Sequence, residues 1–265
     1  MNFNFFSKIF LQNLPSQKER LSLSLIEIEK IGITNLEIYG IEPEENENRN
    51  FNNFKNKYNI IKKAKENEYE NILLLEDDFI FDDNIIQNLE GCIENLPEDW
   101  DLFYLTGFPS KNFTIYEENS RKGRFIVSDI ENGFLEKYNM DSSIVLPIIP
   151  NDKDFIEKYN IYERISSNLI KVKKNGCIGY LQAVAFNSKF YDTFINKFEN
   201  ILKDGRMEEV DGWLASIQVR GMVNSYYACP VLAYHRPCIS SRTGNYFGKD
   251  INENTLYNEL LTFNT

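Results

Sequence analysis

The segment that most restricts the fold is an unbroken apolar run that ends on three carboxylates. Residues 72–75 read Ile-Leu-Leu-Leu and are followed at once by Glu76, Asp77 and Asp78. A short continuous apolar run without polar alternation is typical of a strand buried on both faces of a parallel sheet. In such sheets, ligands bind beyond the carboxyl ends of the strands. The sequence therefore predicts an acidic ligand site at that edge of an α/β fold.

Strand and helix patterns alternate around this run. Apolar runs that read as strands recur at 9–11, 36–41 and 101–105. Stretches with helical character lie between them, at 17–31, 54–64 and 83–95. The acidic, Asn-rich segment 42–53 has the composition of an exposed loop. This βαβ succession predicts a three-layer α/β/α arrangement with a mostly parallel central sheet.

The second half of the chain is less regular, but we expect all 265 residues to form a single domain. From about 107 to 175, short polar and aromatic pieces indicate an insertion that shapes the acceptor side of a cleft, with a helix over Asp154–Tyr162. Order returns with a strand at 179–186 and a helix over 188–205. The polar residues from about 236 to 265 are interpreted as a tail or lid.

Charge and hydropathy exclude several classes of protein. A net charge of -11 disfavours a chain held on nucleic acid or anionic lipid by bulk electrostatics, although local basic sites remain possible. No window approaches the roughly 18 apolar residues of a membrane span, so any membrane contact is expected to be peripheral. The four cysteines are too few for a disulfide scaffold. No signal peptide is evident, and we expect a cytoplasmic protein.

The three carboxylates are the strongest candidates for chemistry. Hard divalent ions such as Mn²⁺ or Mg²⁺ bind one or two carboxylates together with the oxygens of a diphosphate. Alternation along an extended chain puts Glu76 and Asp78 on one side and Asp77 on the other. Asp78 is thus predicted as a direct metal ligand, with Glu76 near the metal or a ribose. The alternative is a turn whose charges only favour the next helix N-terminus.

Two segments carry a resemblance to a known family. Residues 72–79 resemble the LEDD segment of glycosyltransferase family 25, the lipooligosaccharide and procollagen galactosyltransferase group. Residues 96–105 resemble the WDxxYL strand of that family, which follows at a similar spacing. Residues 11–14 followed by Arg20 resemble its opening INL…R nucleotide-binding strand and loop.

The resemblance covers most of residues 9–235. Residues 179–185 are similar to the small-residue strand that follows the central insertion of the family, whereas 108–174 match nothing in it. The resemblance implies a GT-A, Rossmann-like fold and a metal-dependent, inverting transfer of a hexose. The implied donor is a UDP-sugar, and the implied acceptor is a hydroxyl group, most simply of a glycan.

The resemblance also implies roles for individual residues. Asn13 and Arg20 would contact the nucleotide, with Asp77 beside them. GT-A enzymes generally place an acid at the start of a helix after the small-residue strand, and Asp211 occupies that position here, with Glu209 as the fallback. Such a carboxylate takes the proton of the acceptor hydroxyl as attack proceeds. The alternative for Asp211 is a simple helix cap.

The only histidine, His235, ends the last apolar strand, which spans 231–235. In the GT-A fold a C-terminal histidine commonly completes the metal shell, and neutral imidazole is an acceptable Mn²⁺ ligand. The alternative is a hydrogen-bonded histidine at a strand end. Arg236 and Arg242 are placed to bind the diphosphate by bidentate hydrogen bonds, or else are solvated.

Three other functions remain open at this point. The same fold can glycosylate a protein side chain or a modified nucleobase. A nucleotidyltransferase would show a Gly-rich phosphate loop with Lys near the N-terminus, and the sequence has none. A non-catalytic carbohydrate- or nucleotide-binding relative would keep the scaffold but lose at least one of the predicted site residues.

Overall fold

The computed structural model describes residues 2–106, 162–174, 177–179, 181–205 and 209–236, together with four two-residue strands. Those strands form two separate pairs, β6 (Thr114–Ile115) with β7 (Phe125–Ile126) and β13 (Cys238–Ile239) with β14 (Tyr246–Phe247). Most of the predicted insertion and tail lies outside the described residues. The same is true of Arg242 and of the predicted helix Asp154–Tyr162, apart from Tyr162 itself, which begins a strand.

Within the part of the chain that the structure describes, eight strands form the central sheet. They are β1 (Lys8–Gln12), β2 (Leu36–Tyr39), β3 (Asn71–Glu76), β5 (Leu102–Tyr104), β8 (Tyr162–Arg164), β9 (Leu169–Val172), β10 (Ala183–Asn187) and β11 (Ser225–Ala228). Their spatial order is β2-β1-β3-β10-β5-β11-β9-β8. Relative to β1, only β9 and β10 run in the opposite direction. The predicted mostly parallel sheet is therefore confirmed by strand direction, although β10 interrupts it between β3 and β5.

Five α-helices of the described residues accompany the sheet. They are α1 (Lys18–Lys30), α2 (Arg49–Glu66), α3 (Ile85–Asn95), α4 (Ser188–Asp204) and α5 (Val210–Val219). A 3₁₀ turn, Asn2–Phe5, precedes β1. No helix in the described part of the chain is long and apolar enough to span a bilayer.

Alternation along the strands builds one apolar core on each face of the sheet. On one face, Phe10 and Leu74 pack with α2, α4 and α5, for example with Phe54, Phe194 and Trp213. On the other face, the neighbouring residues of β1 and β3 pack with α1 and α3. Side chains on both faces of β3 are fully buried, as the continuous apolar run predicts. The predicted three-layer α/β class is confirmed.

One element starts inside a predicted loop. Residues 42–53 were expected to be an exposed loop throughout, but α2 begins at Arg49. The side chain of Asn48 accepts hydrogen bonds from the backbone N–H groups of Asn50 (2.8 Å) and Phe51 (3.3 Å). These bonds satisfy two backbone donors that a helix N-terminus leaves without a partner. Asn48, one of the Asn residues that suggested a loop, therefore caps the helix.

Candidate functional site

A cleft of about 240 Å³ lies at the carboxyl ends of β1 and β3. Six of the residues predicted for the site line it, namely Arg20, Glu76, Asp77, Asp78, Asp211 and His235. The cleft is thus where the sheet topology predicts a ligand site. Asn13, Arg236 and Glu209 do not line it, and the contacts of each are described below.

Two hydrogen bonds from neighbouring side chains hold Asp77, the first aspartate after Glu76, in place. Asn13 Nδ2 donates to Asp77 Oδ2 at 2.6 Å, and Ser24 Oγ donates to the Asp77 carbonyl oxygen at 2.9 Å. The backbone N–H of Asn13 donates to the Tyr39 carbonyl oxygen of β2 at 3.0 Å. A Cβ atom at Gly40, the residue after β2, would lie 1.9 Å from the Asn13 carbonyl oxygen. Any larger residue at position 40 would push Asn13 away, so this glycine is a structural requirement of the site.

Arg20 on α1 forms salt bridges with both aspartates of the triplet. Its Nη2 atom lies 2.7 Å from Asp78 Oδ2 and also contacts Asp77 Oδ1. Both aspartates are buried, so a guanidinium beside them offsets part of the cost of burying their charge. The predicted alternation therefore fails at Asp78. The strand ends at Glu76, and the turn that follows brings Asp77 and Asp78 to the same arginine.

A two-stranded antiparallel ribbon places His235 next to Asp78. The last predicted strand, β12 (Ala233–His235), pairs with β4 (Phe79–Phe81) rather than with the central sheet. Because His235 is opposite Phe79, its Nε2 atom lies 3.4 Å from Asp78 Oδ2. The backbone N–H of Arg236 donates to the Asp78 carbonyl oxygen, and Arg236 NH2 donates to the Leu23 carbonyl oxygen at 3.1 Å.

The chemistry of this donor set fits a hard or borderline divalent ion held by few protein ligands. Asp78 offers a carboxylate and His235 an imidazole at the cleft, and Mn²⁺ accepts both. Among the described residues, no group of three or more His, Cys, Asp or Glu side chains is arranged to hold a metal ion. Such an ion would therefore need further oxygens from a ligand, as Mg²⁺ and Mn²⁺ do when they bind diphosphates.

The buried charges shift one another's pKa. Burial raises the pKa of Asp77 to about 6, against the lowering effect of Arg20. Burial also acts to raise the pKa of Asp78, but the hydrogen bond and charge of His235, together with Arg20, hold it below its ordinary value. In turn, Asp78 raises the pKa of His235 in spite of burial. Of the two aspartates, Asp78 is thus the one whose surroundings favour the ionised form.

The raised pKa of Asp77 predicts a pH-dependent stability in metal-free protein. Between about pH 4 and about pH 6 the folded state holds a proton on Asp77 that the unfolded state has lost, so stability falls as pH rises. We expect a decline of about 2 kcal/mol across this window, measured by urea denaturation in EDTA. Asp77→Asn should flatten the decline, and Asp83→Asn, at an exposed position, should keep it. Equal slopes in wild type and Asp77→Asn would contradict this assignment.

The sequence analysis missed a buried lysine that lies behind the side chains lining the cleft. Lys57 on α2 is fully buried, and its ammonium donates to three side chains that line the cleft. These are Gln12 Oε1 at 3.0 Å, Asn53 Oδ1 at 2.7 Å and Glu76 Oε1. The available signal was periodicity, because Lys57 lies three residues after Phe54 and four before Ile61, on the apolar face of the helix. A lysine at such a position requires buried acceptors.

The two candidate bases have different surroundings. Helix α5 begins at Val210 with Glu209 at the cap position, so Asp211 lies within the first turn and the cap alternative is wrong. Asp211 lines the cleft. Glu209 instead accepts a hydrogen bond from Asn50 Nδ2 at 2.7 Å. Of the two, Asp211 is the carboxylate that a bound ligand would meet.

Comparison with known proteins shows no family. No protein-family model matches the chain, and no curated protein matches it. Several solved structures bear a distant resemblance to it, among them a glycosyltransferase, a galactosyltransferase and a geranyltransferase. A glycosyltransferase involved in the glycosylation of the major capsid of PBCV-1 is 10% identical, with 73% of this chain and 66% of that chain covered at a TM-score of 0.36.

Two further solved structures are similarly distant. The galactosyltransferase LgtC in complex with donor and acceptor sugar analogs is 11% identical, with 96% and 95% covered and a TM-score of 0.40. Mannose-1-phosphate geranyltransferase from Thermus thermophilus is 12% identical, with 83% and 58% covered and a TM-score of 0.32. Similarity at this level says nothing about activity. Membership of glycosyltransferase family 25 stays a prediction, and the function has to be argued from the cleft.

Proposed function

We propose that the chain is a metal-dependent, inverting glycosyltransferase that moves a hexose from a UDP-sugar to a hydroxyl group, most simply of a glycan. The observation that carries the proposal is the position of Asp78. This ionised carboxylate contacts Arg20 and His235 at a cleft that Asp211 also lines. The cleft therefore combines metal-ligand chemistry, a guanidinium suited to phosphate and a separate carboxylate suited to accept a proton.

The charged groups of the cleft indicate which residues bind the sugar-nucleotide donor. Asp78 and His235 would hold the ion, with Glu76 near the ion or the ribose. When bound, the metal neutralises charge on the departing diphosphate. Arg20 lies against Asp78 and, like Arg49, lines the cleft, where a guanidinium is suited to bind diphosphate oxygens by paired hydrogen bonds. Asn13 acts through Asp77, which it positions by a hydrogen bond, rather than at the cleft surface.

In the transfer step, one proton moves to a base and one electron pair leaves with the diphosphate. The acceptor oxygen forms a bond to the anomeric carbon while the bond from that carbon to the diphosphate oxygen breaks. The nucleoside diphosphate leaves with the electron pair, and the hydroxyl proton passes to Asp211. Glu209 is the weaker candidate because its carboxylate contacts Asn50 and does not line the cleft.

Thermal unfolding with nucleotides tests this donor site. We expect saturating UDP with Mn²⁺ to raise the melting temperature by about 5 °C or more, since a ligand that binds only the folded state stabilises it. UDP with EDTA should give little or no shift. In a folded sample, the absence of a shift with UDP, GDP and CDP, each tested with Mn²⁺ and with Mg²⁺, would rule out the proposal.

A further inference from the structure

Three polar residues lie in a row across the sheet edge at the cleft. Gln12 of β1 is paired with Glu76 of β3, and the Glu76 backbone N–H donates to the Gln182 carbonyl oxygen at 2.9 Å. Gln182 directly precedes β10 and continues its antiparallel ladder with β3 by one residue. Since neighbouring strands lie about 4.8 Å apart, the backbone of Gln182 is about 10 Å from that of Gln12, at the other end of the row.

The side chain of Gln182 lies on the face of the sheet that α5 covers. Side chains alternate along an extended chain, so Gln182 shares a face with Val184, which belongs to the same apolar core as Trp213. Trp213 is on α5, and Asp211 is in the first turn of that helix. Gln182 and Asp211 therefore approach the cleft from the same side of the sheet, and both line it.

The amide of Gln182 is a buried polar group that is left for a ligand. Gln182 is only 5% exposed, yet among the described residues nothing forms a hydrogen bond with its side chain. Its neighbours in the row differ, because Gln12 and Glu76 both bond to Lys57. A buried amide without a partner costs free energy, but the amide atoms of Gln182 are open to the cleft rather than sealed in the interior. A ligand that enters the cleft can therefore satisfy them.

We infer that Gln182 binds hydroxyl groups of the transferred hexose and determines which hexose the cleft accepts. This deepens the proposed function and depends on it. In an inverting transfer, the anomeric carbon lies between the departing diphosphate, which is assigned to Asp78, and the acceptor oxygen, which is assigned to Asp211. The hexose therefore lies between the end of β3 and the first turn of α5, where Gln182 is.

The chemistry of the amide fits a sugar better than a phosphate or a metal ion. An amide has no charge and offers two N–H donors and an acceptor oxygen, and each hydroxyl group of a sugar likewise donates and accepts. The guanidinium groups suited to phosphate are elsewhere in the cleft, on Arg20 and Arg49. Hexoses that differ only in the direction of one hydroxyl group therefore differ in whether they satisfy the Gln182 amide.

The test compares UDP with UDP-glucose, UDP-galactose and UDP-N-acetylglucosamine, each with Mn²⁺, by calorimetry on the full chain without an acceptor. Gln182→Met keeps the length of the side chain and removes its hydrogen-bonding groups. We expect the affinity for the tightest-binding UDP-sugar to fall about 10-fold and the differences among the three to shrink, because hydrogen bonds to the sugar are lost. The affinity for UDP, which carries no hexose, should change by less than about 2-fold.

A matched control and a second variant separate sugar binding from folding. Gln87→Met makes the same change at an exposed position on α3, outside the residues that line the cleft, and should leave all four affinities unchanged. Gln182→Asn keeps the amide but withdraws it by one methylene group, so it should also weaken the same UDP-sugar relative to UDP. If urea denaturation shows that Gln182→Met does not fold, Gln182→Asn decides alone.

The outcomes distinguish this inference from the proposed function. A wild-type protein that binds neither UDP nor any of the three UDP-sugars overturns the donor site and the role of Gln182 together. A folded Gln182→Met protein that binds UDP and the UDP-sugars as wild type does overturns the role of Gln182 and keeps the donor site. The same holds if the variant weakens UDP and the UDP-sugars equally, because Gln182 then acts on the nucleotide or on the shape of the cleft.

Discussion

Replacing Asp211 by Asn is expected to slow sugar transfer by about 100- to 10 000-fold, the usual contribution of a general base. The amide has nearly the same shape but cannot take the proton of the acceptor hydroxyl. Nucleotide binding should survive, because Asp211 is assigned to the acceptor and not to the donor. The measurement is the release of UDP from UDP-hexoses in the presence of a glycan acceptor panel, with UDP affinity measured in parallel.

Glu209→Gln is the matched control for this substitution. Its carboxylate hydrogen-bonds to Asn50 and does not line the cleft, so we expect a change of less than about 10-fold in rate. A large loss of rate in Glu209→Gln with normal turnover in Asp211→Asn would reverse the assignment of the base. An equal loss of UDP affinity and of rate in Asp211→Asn would place Asp211 in the donor site instead.

Asp78→Asn is expected to remove the metal-dependent part of UDP binding, with a loss of affinity of about 100-fold or more in Mn²⁺. The amide oxygen is a poorer ligand than a carboxylate and brings no negative charge to the ion. In EDTA, wild type and variant should bind UDP similarly weakly. The measurement is calorimetric titration of UDP with and without Mn²⁺.

The matched control for Asp78→Asn is Asp83→Asn. Asp83→Asn changes an exposed carboxylate five residues away and should keep the full effect of Mn²⁺. Asp78→Asn also leaves Arg20 with one ionised partner instead of two, so its folding is checked by urea denaturation. A folded Asp78→Asn protein in which Mn²⁺ still strengthens UDP binding as in wild type would show that the ion binds elsewhere.

Local patterns predicted the part of the site that is built from a single segment. The apolar run at 72–75 predicts a fully buried strand, and its end predicts the position of Glu76, Asp77 and Asp78 at the ligand edge. Helical periodicity likewise predicted α1, on which Arg20 lies. These predictions succeed because burial and periodicity are properties of contiguous residues.

The contacts within the site could not be predicted in the same way. Arg20 meets Asp78 across 58 residues of sequence, and Lys57 meets Gln12 across 45. The pairing of β12 with β4 depends on where the chain returns after α5 and β11, which no local pattern encodes. Without that pairing, the sequence names His235 as a candidate but cannot bring it to Asp78.

The most direct test of the donor site is a crystal structure with UDP and MnCl₂, with anomalous data collected to locate manganese. We expect an anomalous peak within coordination distance of a carboxylate oxygen of Asp78 and of the diphosphate, with His235 in the same shell and the nucleotide in the cleft. A nucleotide bound in this cleft with no peak at Asp78, or with a peak at other residues, would contradict the assignment of Asp78 as a metal ligand.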